Sequence, residues 1–451
     1  MSGRHDAPAE VVASRVLELV RARASTAEAE VNVRLGTAAL TRFANGAIHQ
    51  NLAEEVRQVL LRVALDGRVA AAGLDGPTGD DELESLVSAV FEAATVTPAD
   101  PDWPGLTPPT LAPAIDHWDD GTGTASPDER AARVAAYVAS AAGMSTAGAV
   151  STQAIGAAFA NTAGQSLRGR YTVAVLDGIA RTGTSDGVAR VASLALDHLD
   201  AAAAGSVAAG KARDGAEPTD LEPGQYEVVL EPSCVKDLVE HLLLNGFGGR
   251  AIVEGRSFVR PGERQFDDGV TLRQDPAHPG MTGLGFDAEG APRLALDVIR
   301  DGISANALHD RRTARRAGTA TTGNAALGPN PYGDMPASAV LLPGRTDPAR
   351  LVEGVERGLL VSDFWYTRVL DPRTLVITGL TRNGVWLIED GRVVRPVSNL
   401  RFTQSYADAL APGAVRAIGD RLTLFPQEAE GYLLVPAIHL ASWNFTGGAK
   451  G

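Results

Sequence analysis

The chain has 451 residues, 44% of them hydrophobic, and a formal net charge of −14; it can bury a sizeable core, and its length favours two or three domains. So acidic a surface repels phosphate backbones and anionic headgroups, which argues against nucleic acid and membrane partners, and no apolar run approaches the roughly 20 residues that span a bilayer. The single cysteine, Cys234, excludes a disulfide framework and any multi-cysteine zinc site. With no leader pattern in the polar start, a reducing cytoplasm is the expected compartment.

From Pro8 to about Ala24, the residues Val11, Val12, Val16, Leu17 and Val20 recur at helical spacing. Alternating runs follow at 31–35, 40–43, 48–52, 56–64 and 69–73, punctuated by Asn45-Gly46 and Asp66-Gly67. Both dipeptides suit type I′ turns, whose central residues need positive φ, so an antiparallel meander is expected. Leu83, Leu86, Val87, Val90 and Phe91 line one face of a helix over 80–94, and the Pro-rich stretch 98–113 reads as an exposed loop. Ser126-Pro127-Asp128-Glu129 is a capping box opening another helix. Strands are expected between 148 and 191 and an Ala-rich helix over 197–211.

The apolar period is lost over 210–218, which places a domain boundary there: an N-terminal domain over 1–218 and a C-terminal one over 219–451. Tyr226 to Leu230 reads as a strand leading through Glu231-Pro232 into a helix over 233–244, with Asn245-Gly246 as its left-handed C-cap. The remainder, broken by Gly and Pro, reads as mostly β. The expected fold class is α+β, with an N-terminal antiparallel sheet plus helices and a mostly-β C-terminal half carrying a few helices.

There is no Gly-rich phosphate loop, Gly-x-Ser-x-Gly elbow or His-Glu-x-x-His helix. What the chain does carry, in order, is Thr41-Arg42-Phe43-Ala44-Asn45-Gly46-Ala47-Ile48-His49-Gln50, Gly255-Arg256-Ser257-Phe258, Asp275-Pro276, Phe286-Asp287-Ala288-Glu289-Gly290, Thr322-Gly323-Asn324 and Leu342-Pro343-Gly344. Gly358-Leu359-Leu360-Val361 and Ile388-Glu389-Asp390-Gly391 with Pro396-Val397 continue the series. This succession resembles the TldD/PmbA family of metallopeptidases over nearly the whole chain. In catalytic members the second-domain helix carries His-Glu-x-x-x-His, two zinc ligands and a general base, and a later cysteine completes the ligand set.

Laid onto this chain, the motif puts Glu240 at the first histidine, His241 at the glutamate and Asn245 at the second histidine, and no cysteine follows Cys234. The resemblance therefore implies a TldE/PmbA-like subunit with no catalytic residue and no cofactor of its own. Zinc is expected in a TldD-like catalytic partner, the two forming a cytoplasmic heterodimer whose chamber admits unfolded or short peptides. Arg42, Asn45, His49, Asp287 and Glu289 are the candidate contacts to peptide or partner.

Two rival readings stay open at this level. One is a self-sufficient hydrolase with a relocated metal site drawn from Asp275, His278, Asp287, Glu289 and His309; the other is a peptide-binding scaffold without proteolysis. Arg311-Arg312 and Arg315-Arg316 on a helix after Asp310 read as either an anion clamp or a solvated face. Trp365-Tyr366-Thr367-Arg368 and Trp386 read as either a binding hot spot or core. Asp119-Asp120 and Asp267-Asp268 read as turn residues, and Cys234 as packing.

Overall fold

Asn45 (φ 52°) with Gly46 (φ 74°), and Asp66 (φ 49°) with Gly67 (φ 76°), occupy the left-handed region and close two tight hairpins. In this computed structural model, which describes residues 8–141, 143–328, 334, 336–427 and 431–448, the polar residues 1–7 read for a leader lie outside the described set. The strands joined by those hairpins, β1 (Glu28–Ala44), β2 (Ala47–Leu65) and β3 (Arg68–Asp75), are each unbroken. The separate runs expected from the sequence merge because β2 is exposed from Ala47 to Glu55 and only then turns residues into the core.

The meander is then repeated. After α1 (Ala9–Arg23) and α2 (Asp80–Val96), a single turn α3 (Asp120–Gly123) starts at Asp119, whose Oδ1 accepts from Thr122 N at 2.6 Å. α4 (Pro127–Ser140) opens on the full Ser126/Glu129 capping box. β4 (Ser145–Asn161), β5 (Ser166–Arg181), β6 (Asp186–Ser193) and α5 (Ala201–Asp214) follow. β1 pairs antiparallel with β4, giving one sheet in the order β3-β2-β1-β4-β5-β6. Val16 and Val20 of α1 and Val87 and Val90 of α2 pack on Val31, Val33, Val59 and Leu61. Val134 and Tyr137 of α4 pack with Ala204 and Ala208 of α5 over Val150 and Leu176.

β7 (Gly224–Leu230) leads into α6 (Pro232–Leu242). The C-cap expected at Asn245-Gly246 is not there: neither residue has positive φ, and the helix runs on through a π-helical turn, Leu243–Phe247, towards α7 (Gly249–Val253). Glycine is needed at 246 for space, since a Cβ would lie 2.4 Å from the Phe258 ring. That ring belongs to a cluster with Phe247 and Phe266.

Downstream come β8 (Leu272–Gln274), β9 (Leu296–Arg300), β10 (Ile303–Ser304), α8 (Arg311–Ala317), β11 (Ser338–Leu341), β12 (Arg357–Asp371), β13 (Val376–Glu389), β14 (Arg392–Pro396), β15 (Leu400–Ser405), α9 (Tyr406–Ala409), β16 (Val415–Ile418), β17 (Thr423–Pro426), β18 (Tyr432–Val435) and β19 (Ile438–Gly448). One sheet runs β10-β9-β8-β11-β18-β17. In the other, β12 bonds both β7 and β13, so β12, β7, β19, β15 and β13 close a ring, with β14 and β16 attached to it. Closure leaves those five strands without a free edge. Phe364, Phe402, Tyr406 and Trp443 pack in the core of this half, neighbouring ring centroids lying 4.6 Å (Phe364 to Phe402) to 6.4 Å (Phe402 to Tyr406) apart. The fold is thus α+β, with a mostly-β second half. Among the described residues no helix is long and apolar enough to cross a membrane.

Candidate functional site

α6 buries Cys234, Val235, Leu238, Val239 and Leu242 in the core, which leaves its polar residues to pair at i,i+4 spacing. Lys236 Nζ lies 2.5 Å from Glu240 Oε2. Asp237 accepts from Thr367 Oγ1 at 2.8 Å and from the Tyr406 hydroxyl at 2.7 Å. Burial holds the Tyr406 phenol far above its ordinary range, so it stays a donor to Asp237. His241 Nε2 is 3.4 Å from Thr367 Oγ1 and 3.8 Å from Asp237 Oδ1, and its ring stands edge-on to Tyr406 at 5.7 Å. Asn245 Nδ2 donates to the His241 carbonyl at 3.2 Å.

Of the three motif positions, His241 and Asn245 therefore converge while Glu240 turns aside to Lys236. Zinc asks for three or four nitrogen, sulfur or carboxylate donors at about 2.0–2.3 Å. A single imidazole beside an amide and a carboxylate already held by two hydroxyls does not match that requirement. Cys234 adds nothing: it is fully buried, its Sγ donates to the Val361 carbonyl at 3.6 Å, and burial pushes the thiol well above its ordinary pKa. Among the described residues no three His, Cys, Asp or Glu side chains are grouped to hold a metal. The alternative set is dispersed, His309 bonding Thr313, His278 accepting from Gly280 N, and Asp287 capping its own loop.

Lys236 and Asp237 also line a cavity of about 470 Å³ bounded by α6, β5, β6 and β12. There β12 breaks register with β13 between Trp365 and Arg368, and Tyr366 takes φ 59°. A left-handed bulky residue is uncommon, and such conformations concentrate where function constrains the backbone. Trp365 is 49% and Tyr366 65% exposed, with Arg382 4.2 Å from the Trp365 ring and Arg368 4.7 Å from the Tyr366 ring. Trp386, by contrast, is buried and donates to the Asp214 carbonyl.

A second cavity of about 510 Å³ shares Asp177, Arg190 and Trp365 with the first and is also lined by Arg42 and His49. The hairpin residues and the motif helix, distant in sequence, thus face one cleft. Asn45 is exposed but fixes its turn, accepting from Ser145 Oγ at 3.1 Å. Arg190 braces the cleft wall. It donates to Asp177 Oδ2 at 3.2 Å, Ser233 Oγ at 3.0 Å and Asp363 Oδ2 at 2.8 Å, and Ser233 and Asn383 donate to Asp363 as well. No local sequence signal marks Arg190, Asp363, Asp237 or Arg382; only the Trp365–Arg368 string and the hairpin pointed here.

Asp287 and Glu289, expected to contact peptide or partner, lie elsewhere and inside, 2% and 6% exposed. Asp287 accepts from the backbone N–H groups of Glu289, Ala291 and Ala325, each within 2.9 Å. Glu289 accepts from Arg311 N and lies 3.4 Å from Arg62 Nη1, which also pairs with buried Glu30 at 2.8 Å. This loop is a joint to the first sheet, tied further by Asn32 Nδ2 donating to Ala288 O and Gln165 Nε2 to Gly290 O. Nor is the arginine helix an anion clamp or simply solvated: Arg311 and Arg315 donate to the carbonyls of Pro104 and Trp103, and Arg312 pairs with Asp100. It straps down the Pro-rich loop.

The profile of the PmbA/TldA metallopeptidase C-terminal domain matches residues 223–447. A metalloprotease of Methanothermobacter thermautotrophicus is 24% identical over 191 residues, 42% of this chain and 41% of that protein. One of Synechocystis is 30% identical over 168 residues, 37% of this chain and 34% of that protein. The chain therefore spans about two fifths or less of those relatives' own lengths. TldE from Thermococcus kodakarensis superposes with a TM-score of 0.85 over 97% of this chain and 99% of its own, at 18% identity, a likeness of fold. With the family's own domain matched across the second half and the ordered motifs set on one shared fold, the chain belongs to the TldD/PmbA family of metallopeptidases.

Proposed function

We propose that this chain is a TldE-like, non-catalytic subunit that holds peptide for a cytoplasmic metallopeptidase whose zinc and general base reside on a TldD-like chain. The observation that carries this reading is the state of α6: Glu240 is engaged by Lys236, Asn245 donates to His241, and His241 lies against Thr367, on a helix that nonetheless borders an open cleft. The cleft suits an extended peptide, with two adjoining cavities, exposed aromatics and arginines of the kind that dominate binding sites. The self-sufficient hydrolase gains no support, because its five ligand residues are not brought together.

The test is reconstitution. The purified chain alone is expected to leave an unfolded protein substrate intact, and the TldD-like chain from the same host is expected to co-purify with it and cleave that substrate in the mixture, in a manner abolished by a chelator. Chelator-sensitive turnover by this chain alone would contradict the proposal.

A further inference from the structure

The charges of the cleft do not follow those of the protein. In a chain of net charge −14, its two cavities are lined by six cationic side chains, Arg42, Arg181, Arg190, Lys236, Arg368 and Arg382, against four carboxylates, Asp177, Asp186, Asp237 and Asp363. Every one of those carboxylates already has a partner in the wall. Asp177 and Asp363 pair with Arg190, Asp186 with Arg181, and Asp237 accepts from Thr367 and Tyr406. Arg42, Arg368 and Arg382, by contrast, have no carboxylate within ion-pair distance among the described residues.

Two of these three are also pre-positioned. Arg368 stacks over Tyr366 and Arg382 over Trp365, on the two aromatics that stand furthest into solvent around the bulge. A guanidinium laid on a ring keeps its in-plane N–H edge outward, and that edge matches a carboxylate bidentately. Holding the fork in place lowers the ordering cost of binding.

We infer that the cleft selects peptides bearing carboxylates, which Arg368 and Arg382 bind at its mouth, with Arg42 extending the positive track towards the hairpin. This rests on the peptide-holding reading above and adds a substrate class to it. Acidic side chains and a free C-terminus present the same ligand chemistry, and amidation of the C-terminus separates them.

The experiment uses the full chain and fluorescence anisotropy of short rhodamine-labelled peptides: a Glu-containing peptide, its Gln counterpart, and the Glu peptide with an amidated C-terminus. The Glu peptide is expected to bind about tenfold tighter than the Gln peptide at low salt, with the preference shrinking as salt rises. R368Q, at an exposed position, and R382Q, at a half-buried one, should each remove most of that preference and leave the thermal midpoint unchanged. If the Glu preference survives amidation the side chains are the ligand, and if Glu and Gln peptides bind equally tightly and amidation abolishes that binding the terminal carboxylate is; both support the inference. Equal binding of Glu and Gln peptides that amidation does not weaken, or tight binding that survives both substitutions, overturns it while leaving the peptide cleft standing. Binding of none of the peptides overturns both.

Discussion

Arg62→Ala is expected to destabilise the fold by about 3–5 kcal/mol, because it removes the cation from a buried acidic joint and leaves charge uncompensated. Arg62 is mostly buried and within 3.4 Å of both Glu30 and Glu289. Burial first, then neighbouring acids, pushes Glu30 from 4.5 up to about 7; burial and Glu289 push Asp287 from 3.8 up to about 7 against its three N–H donors. Raised carboxylates hold protons more tightly in the folded chain than in the unfolded one. Their stabilising contribution is therefore fully present below about pH 4, where both states are protonated, and is lost as pH rises through 7. Without Arg62 the ionised acids lose their counter-charge, so the penalty should be larger at pH 8 than at pH 5.5. Urea unfolding of wild type and variant at both values checks this, and an equal penalty at both would rule out the charge argument.

Trp443→Ala should cost about 3–5 kcal/mol, the range for emptying a fully buried aromatic site. Trp443 is 0% exposed and stacks on Phe364 at 5.2 Å, with Phe402 and Tyr406 each at 5.4 Å. The loss would also loosen Tyr406, whose hydroxyl holds Asp237 beside the motif positions. Trp443→Phe separates shape from polarity. The indole N–H has no hydrogen-bond partner among the described residues, so phenylalanine removes an unsatisfied donor together with some volume and should cost about 1–2 kcal/mol. Denaturant midpoints of the two variants give the order; a phenylalanine as damaging as alanine would mean the buried N–H has an acceptor.

What the sequence made legible was local. Asn45-Gly46 and Ser126-Pro127-Asp128-Glu129 carry their geometry in a few consecutive residues, so hairpin and capping box appear where the pattern puts them. Gly246 carries no such signal, because its need for space comes from Phe258, which arrives from outside the helix. The Asp287-Ala288-Glu289-Gly290 string looks like exposed acidic loop until Arg62 and Glu30, more than 220 residues earlier, close over it. The motif helix was readable as substituted, yet the turning of Glu240 to Lys236 depends on an i,i+4 pair that spacing permits but does not require. The cleft was least legible, since Arg190 and Asp363 stand 173 residues apart and meet only through the tertiary packing that sets β6 against β13 and β17.

Whether α6 holds metal tests the proposed division of labour with a catalytic chain most directly. The direct measurement is the zinc content of the purified full-length chain after incubation with excess zinc and desalting. The expected result is a content well below one ion per chain, unchanged by His241→Ala. One tightly held zinc per chain, lost on substituting His241 or Glu240, would contradict it and make this chain a catalytic subunit in its own right.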